Sequence, residues 1–211
     1  MTDQTPTIHG VFPCPVYNVK RDSDLTPTEE KEIGKIIRGG LYKNAGNSTS
    51  FEDKVFNIDE LKKIKQFCEQ HLKKYVEQVI CPEEEVDFYI TQSWINVTKP
   101  GEFHHPHSHP NSIVSGVFYI ATEEDDTFTL EDPNYRIKQI IKFEPTEYNA
   151  WNSIAWTLPS KNNELLLFPS WIKHRVEVNE RATRDRISIS FNTFVRGIMG
   201  RKDRLNEIII K

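Results

Sequence analysis

The sequence predicts a mainly β protein, a sandwich or barrel of short strands with two helices ahead of it. Three observations carry that expectation. About eight short β-type runs follow residue 86, separated by Pro, Gly, Asn or Asp. Two earlier segments repeat apolar residues at helical spacing. A length of 211 residues suits one domain with a real core. Short strands spaced so closely imply a sandwich or barrel, with the double-sheet jelly roll among the available forms.

Taken in order, Val11–Val19 is apolar and β-rich, and its prolines make it an edge strand. Thr26-Pro27-Thr28-Glu29 reads as an N-cap, a proline at the first helical position and a capping-box glutamate. Ile33, Ile36 and Ile37 give that helix its apolar stripe, and Gly39-Gly40 ends it. A second helix starts at an Asn57 cap with Glu60 three residues on. Leu61, Ile64, Cys68, Leu72, Tyr75, Val76 and Val79 form its buried face, and Pro82 stops it. The β-type runs are Asp87–Thr98, Ser112–Ala121, Thr127–Glu131, Ile137–Phe143, Ser153–Leu158, Glu164–Pro169, His174–Asn179 and Arg186–Val195. The expected organisation is one domain over 1–211: a strand and supporting helices in 1–86, a β-core in 87–195 and a tail in 196–211. The helices are expected to back one sheet.

Composition excludes some functions. The net charge is -4, so no general nucleic-acid-binding field is indicated, and the basic run Arg196–Arg204 reads as a solvated terminus. No apolar run approaches the roughly 20 residues of a membrane helix. The polar N-terminus lacks a signal-peptide core. Cys14, Cys68 and Cys81 are odd in number and scattered, which fits a reducing compartment. The expectation is a cytoplasmic protein without nucleic-acid or membrane partners.

The stretch Gly101–Ser112, GEFHHPHSHPNS, holds His104, His105, His107 and His109, four of the seven histidines of the chain. His107 and His109 are i, i+2, so an extended chain points both rings to one face. His174 opens a later β-type run and is the evident third ligand. A local pair plus one distant histidine suits a facial three-ligand metal site with open positions. The plainer readings are a solvated histidine-rich loop or a nonspecific metal scavenger. His104 and His105 alternate in direction, so they read as supporting or solvent-facing. His9 and His71 read as incidental, His71 on the polar side of the second helix. The strand Arg186–Asn192 places Arg186, Ser188, Ser190 and Asn192 on one face and Ile187, Ile189 and Phe191 on the other. That polar face either meets water or lines a pocket in which an arginine grips a carboxylate by two parallel hydrogen bonds.

These residues resemble the iron(II) and 2-oxoglutarate-dependent oxygenases. That superfamily builds a double-stranded β-helix, a jelly-roll or cupin-like barrel. Its pattern is a local His-x-Asp/Glu pair, a distal histidine, and about ten positions later a basic residue for the cosubstrate. More closely, HSHPNSIVSGVFYI and LLLFPSWIKHRVEVN…RISISFN are similar to a prolyl-hydroxylase-like branch found in bacteria and phages. Its pattern runs H-x-H-P-N-x-x-x-S-G-V-Y-Y, an E/D-D-P corner (here Glu131-Asp132-Pro133) and F-P-S-W-x-x-H. The resemblance implies iron(II) bound by His107 and His174, with His109 where the superfamily usually has a carboxylate. It implies that Arg186 anchors the far carboxylate of 2-oxoglutarate, with Tyr119, Ser188, Ser190 and Asn96 as further cosubstrate contacts. Oxygen is the other cosubstrate. The implied reaction hydroxylates a C–H bond of a peptide or protein side chain, or of a small molecule, with release of succinate and carbon dioxide.

Other readings stay open at this point. A metal-binding cupin has a similar histidine pair, but its motif wants a glutamate where Ile113 and Val114 stand. A zinc hydrolase lacks its HExxH, and a degenerate binding module would leave Arg186 unexplained. Of Trp94, Trp151, Trp156 and Trp171, most are expected in the core, with Trp171 walling the site. Pro133–Asn163 is expected to face the substrate.

Overall fold

The computed structural model describes residues 7–135, 140–141 and 144–211. The chain enters through β1 (Tyr17–Lys20), α1 (Pro27–Gly39), β2 (Leu41–Lys43) and β3 (Ser48–Ser50). Two 3-10 turns lead into α2 (Lys62–Tyr75), which runs on as a π turn over Val76–Ile80. The β-core then follows as β4 (Val86–Thr98), β5 (His104–His107), β6 (Val114–Ala121), β7 (Thr127–Glu131), β8 (Ala155–Pro159), β9 (Glu164–Pro169), β10 (His174–Val176) and β11 (Arg186–Met199). A last strand, β12 (Ile208–Ile210), pairs back onto β11. All named strand pairs are antiparallel. The large sheet runs β1-β9-β6-β11-β4-β3-β2, and the small one β5-β10-β7-β8. This is the jelly-roll arrangement of a mainly β protein.

The period-two alternation of the long strands sorts their side chains between two environments. Ile95 and Val97 of β4, Phe118 of β6, Leu165 and Leu167 of β9, and Ile189 and Phe191 of β11 meet the helices. Leu61, in the turn before α2, and Ile64, Cys68, Leu72 and Tyr75 of α2 cover them, each at 2% exposure or less. Each such side chain stabilises the fold by about 1.5–3 kcal/mol. The helices therefore back the large sheet, and its opposite face is left for the interior of the barrel. Gly116 is needed where that sheet is tightest: a Cβ there would sit 2.1 Å from Cζ of Phe191, its register partner on β11.

The start of α1 matches its sequence signature. Thr26 Oγ1 accepts from Glu29 N at 3.2 Å, and Glu29 Oε2 accepts from Thr26 N at 2.7 Å. Glu29 is also buried in a 3.0 Å ion pair with Arg21. Elsewhere the structure corrects the expectations. Asn57 does not cap α2. Val55 and Phe56 are buried, and Phe56 N donates to Ser93 Oγ on β4 at 2.9 Å, so this segment winds as 3-10 turns and the α-helix begins at Lys62. Val79 is exposed, because the π turn rotates the stripe away from the core. His71 is buried, with its Nδ1 2.7 Å from the Tyr17 hydroxyl. The edge strand is shorter than expected and excludes both prolines. Of the run Ile137–Phe143, only Ile140 and Ile141 are described residues, and they form a bend. Trp151, Trp156 and Trp171 are exposed, so none of them builds the core. Among the described residues, no helix is long and apolar enough to cross a membrane.

Candidate metal centre

β5 and β10 lie side by side, and their register sets His107 opposite His174. The ladder then slips: Val176 pairs with His104, so β5 takes three steps where β10 takes two. In a regular strand, residues three apart face opposite sides. This bulge instead brings His104 into the cavity that His107 lines. His109 lies just past β5 and is tied by its backbone, His109 N donating to Ser170 O at 2.9 Å. One ligand nitrogen each from His107, His109 and His174 lies within 4.8 Å of the other two.

The partners of these rings settle their tautomers. His107 Nδ1 is 2.7 Å from His105 O, and His174 Nδ1 is 3.1 Å from Ile172 O. Carbonyl oxygens only accept, so both Nδ1 atoms carry the proton. His109 Nδ1 meets Asn192 Oδ1 in the same way. Each ring thus keeps Nε2 as its lone-pair nitrogen, the orientation that metal-binding histidines adopt. Phe128 and Phe168 pack on the His174 ring at centroid distances of 5.2 and 4.7 Å. Burial holds all three rings neutral. It lowers His107 to about 4 and His174 to about 2, with the neighbouring rings adding to the effect. His109 is also lowered by burial, against the opposing bond to Asn192. Neutral, pre-aligned imidazoles are a donor set that fits a divalent first-row metal. A second trio, His104, His105 and His107, also brings its nitrogens together, but it shares His107, so the two cannot be filled at once.

The same cavity continues along β11 to Arg186, past Ser190 and Ser188, with Trp94, Asn96 and Thr98 beside them on β4. Arg186 is 6% exposed. Its Nη2 donates to Ser160 Oγ at 3.0 Å, but Nε and Nη1 have no hydrogen-bond partner. A buried cation with free N–H donors on its planar fork is shaped to receive a carboxylate. Tyr119 lies beneath it, with the guanidinium carbon 5.3 Å from the ring centroid. The Tyr119 hydroxyl is buried without a well-formed hydrogen bond, and burial raises its pKa despite the Arg186 guanidinium and the Ser160 hydroxyl nearby. Asn96 Nδ2 donates to Ser190 Oγ at 2.9 Å and its Oδ1 accepts from Thr49 at 3.0 Å. Asn96 and Ser190 both line the cavity. Trp94, not Trp171, lines this cavity.

Sequence reasoning missed several residues. Asn192 was placed on the correct strand face but given no role, and it holds His109. Ser115 and Ser170 hydrogen-bond each other at 2.8 Å, and Ser115 also reaches Asn192 at 3.2 Å. Both sit inside the SGV and PSW motifs, which was the available signal. Asn47 lines the cavity from the β2–β3 turn, where nothing in the sequence singles it out.

Residues 92–192 match a family model described as "Putative 2OG-Fe(II) oxygenase". The match begins within β4, ends within β11, and contains both histidine segments and Arg186. This stretch, just under half of the chain, resembles the 2OG-Fe(II) oxygenases. No curated protein matches the chain in sequence. Its fold is similar to that of a prolyl-4-hydroxylase of Pseudomonas putida (TM-score 0.56, 15% identity, covering 87% of this chain and 94% of the other). It is also similar to a prolyl hydroxylase of Trichoplax adhaerens in complex with a hypoxia-inducible-factor peptide fragment (0.54, 14%, 85% and 83%). A third similar structure is HygX of Streptomyces hygroscopicus with nickel and 2-oxoglutarate bound (0.54, 8%, 85% and 82%). The iron(II) and 2-oxoglutarate that the family's description names fit what the cavity offers: three aligned imidazoles at one end and a guanidinium without a carboxylate partner at the other.

Proposed function

We propose that this protein is an iron(II)- and 2-oxoglutarate-dependent dioxygenase that hydroxylates a C–H bond of its substrate. The observation that carries the reading is Arg186, a buried guanidinium with two unpartnered nitrogens in the cavity that the histidine trio lines. His107, His109 and His174 hold the iron through Nε2. One edge of the Arg186 guanidinium receives the far carboxylate of 2-oxoglutarate, and the Tyr119 hydroxyl donates to the same group. Ser188 lines the wall between them. Iron and the 2-oxo acid, when bound, supply the oxidising chemistry that consumes oxygen and releases succinate and carbon dioxide. The chain's share is to bind, align and screen. Phe128, Phe168 and Val117 keep the metal end apolar, and Asn192 fixes the His109 ring.

His109 stands where the superfamily usually has a carboxylate. Two histidines and a carboxylate leave iron(II) with one formal positive charge, whereas three neutral histidines leave two. That extra charge strengthens the hold on a dianionic cosubstrate. A plain cupin would have no use for Arg186. The substrate is a peptide or protein side chain, by analogy with the prolyl hydroxylases of the same fold, or a small molecule. The free Cys14, Cys68 and Cys81 suit a reducing compartment such as the cytoplasm. The test is purified protein with iron(II), 2-oxoglutarate and a panel of peptides and metabolites, read as succinate formation together with a mass gain of one oxygen. If calorimetry finds no 2-oxoglutarate binding, the cupin reading replaces this one.

A further inference from the structure

One wall of the cavity comes from outside the family-matched core. The turn Asn44–Asn47 lies along β5, with Phe103 N donating to Gly46 O at 3.2 Å and His105 N to Ala45 O at 3.4 Å. Gly46 makes the approach possible. Its φ is +101°, and a Cβ there would stand 2.5 Å from Phe103 O. Asn44 Oδ1 accepts from Ala45 N at 2.8 Å, so its Nδ2 is the atom 3.2 Å from His104 Nε2. An amide nitrogen only donates. His104 Nε2 therefore accepts, and its proton sits on Nδ1, a free donor in a ring that lines the cavity.

Asn47 completes this wall. It is 1% exposed, it lines the cavity with Thr98, His104 and Arg186, and both Oδ1 and Nδ2 lack a partner. Leaving both ends of a buried amide unpaired costs stability, so the arrangement is justified by something it binds. A carboxylate only accepts and would leave Oδ1 unmet. A primary carboxamide offers a donor and an acceptor on one edge, and an extended peptide residue offers its own N–H and C=O side by side, so either meets both.

Resting on the oxygenase reading, we infer that Asn47 is a substrate-recognising residue. The primary substrate presents an amide pair, either the N–H and C=O of one peptide residue or the edge of a primary carboxamide. Its N–H goes to Asn47 Oδ1, and its carbonyl accepts from Asn47 Nδ2–H. The His104 Nδ1–H is a second donor on the same wall. The cavity then has two ends of different chemistry: Arg186 and Tyr119 read a carboxylate, and Asn47 and His104 read an amide.

The experiment uses the full chain with iron(II) and 2-oxoglutarate under nitrogen. The metal-to-cosubstrate charge-transfer band and the Tm are followed on adding N-acetylalanine N-methylamide, propionamide or methyl propionate. One or both amides should shift the band and raise the Tm, and the responsive one identifies the source of the amide. The ester, with no N–H, should do neither. Asn47→Leu should keep the iron and cosubstrate band, which other residues carry, and weaken the amide response at least about tenfold. Its metal-free Tm should rise by about 2–4 °C, because the unpaired amide is gone. The inference is overturned if neither amide acts on the wild type, if Asn47→Leu responds like the wild type, or if Asn47→Leu lowers the metal-free Tm, as loss of a merely structural amide would. A wild type with no band at all overturns the oxygenase reading, and this inference with it.

Discussion

Arg186→Met tests the cosubstrate end of the cavity. Methionine keeps much of the side-chain volume and removes the charge. In the wild type, the guanidinium keeps unpartnered nitrogens, and one edge of its fork can make two hydrogen bonds to a carboxylate. Hydrogen bonds to charged groups contribute about 1.5–3 kcal/mol each, so their joint loss is at least about 3 kcal/mol. At about 1.4 kcal/mol per tenfold, affinity for 2-oxoglutarate should fall a hundredfold or more. A ligand at about one hundred times its Kd stabilises a protein by about 2.7 kcal/mol. For a chain of this size that raises the Tm by about 5–11 °C. At the same concentration, the variant would bind near its own Kd and gain only about 0.4 kcal/mol, or about 1–2 °C. The assay is anaerobic thermal unfolding with iron(II), with and without 2-oxoglutarate, supported by titration of the charge-transfer band. Arg186→Lys should recover only part of the shift, since a point charge replaces the two-pronged fork. Ligand-free Arg186→Met should be no less stable than the wild type, because an unpaired buried charge has been removed. A 2-oxoglutarate shift in Arg186→Met within about 2 °C of the wild-type shift would refute the reasoning.

His107→Ala and His174→Ala should each sharply weaken iron(II) binding in anaerobic titration, while His105→Ala should matter little; the reverse pattern would mean that the other histidine trio holds the metal. His109→Asp should retain iron and some 2-oxoglutarate turnover, whereas His109→Ala should bind iron weakly, and unchanged affinity there would remove His109 from the ligand set. Metal-free stability should fall with acid: His107, His109 and His174 have depressed folded pKa values, so below about pH 6.5 the unfolded chain takes up protons that the folded chain refuses. The loss should run from about pH 6.5 down toward the folded value of about 4 for His107, and a Tm that stays flat from about pH 7 to 5 would contradict it. Gly116→Ala should cost about 1–3 kcal/mol by pushing on Phe191, read as a lower denaturant midpoint at unchanged slope.

The long strands were legible because one face of each is apolar and the other polar. β4, β6, β9 and β11 all carry that alternation, and it also marked the face that holds Arg186, Ser188 and Ser190. β5 carries no such signal: His-His-Pro-His has no apolar beat, and its pairing depends on β10. β2, β3 and β12 are three residues each, too short for any period to show. The Asn57 cap had the right spacing to Glu60, but a tertiary bond from Phe56 N to Ser93 prevailed over the local signal. His71 lies three residues after Cys68 on the buried stripe, so its side was readable from position and misread from polarity. At the site, the spacing of His107, His109, His174 and Arg186 was visible because motifs concentrate there. Asn47 was not, because only the folding of the β2–β3 turn onto β5 brings it in.

The locked tautomers of the three histidines also govern how the protein takes up metal. A site built from cysteines or protonated histidines must shed protons as it fills, so its loading is coupled to pH. Here burial has already stripped each ring to its neutral form, and each remaining proton lies on Nδ1, facing an oxygen that accepts it. Near neutral pH, metal capture by this trio should proceed without net proton release. Its heat, once metal–buffer binding is subtracted, should then not depend on the ionisation enthalpy of the buffer.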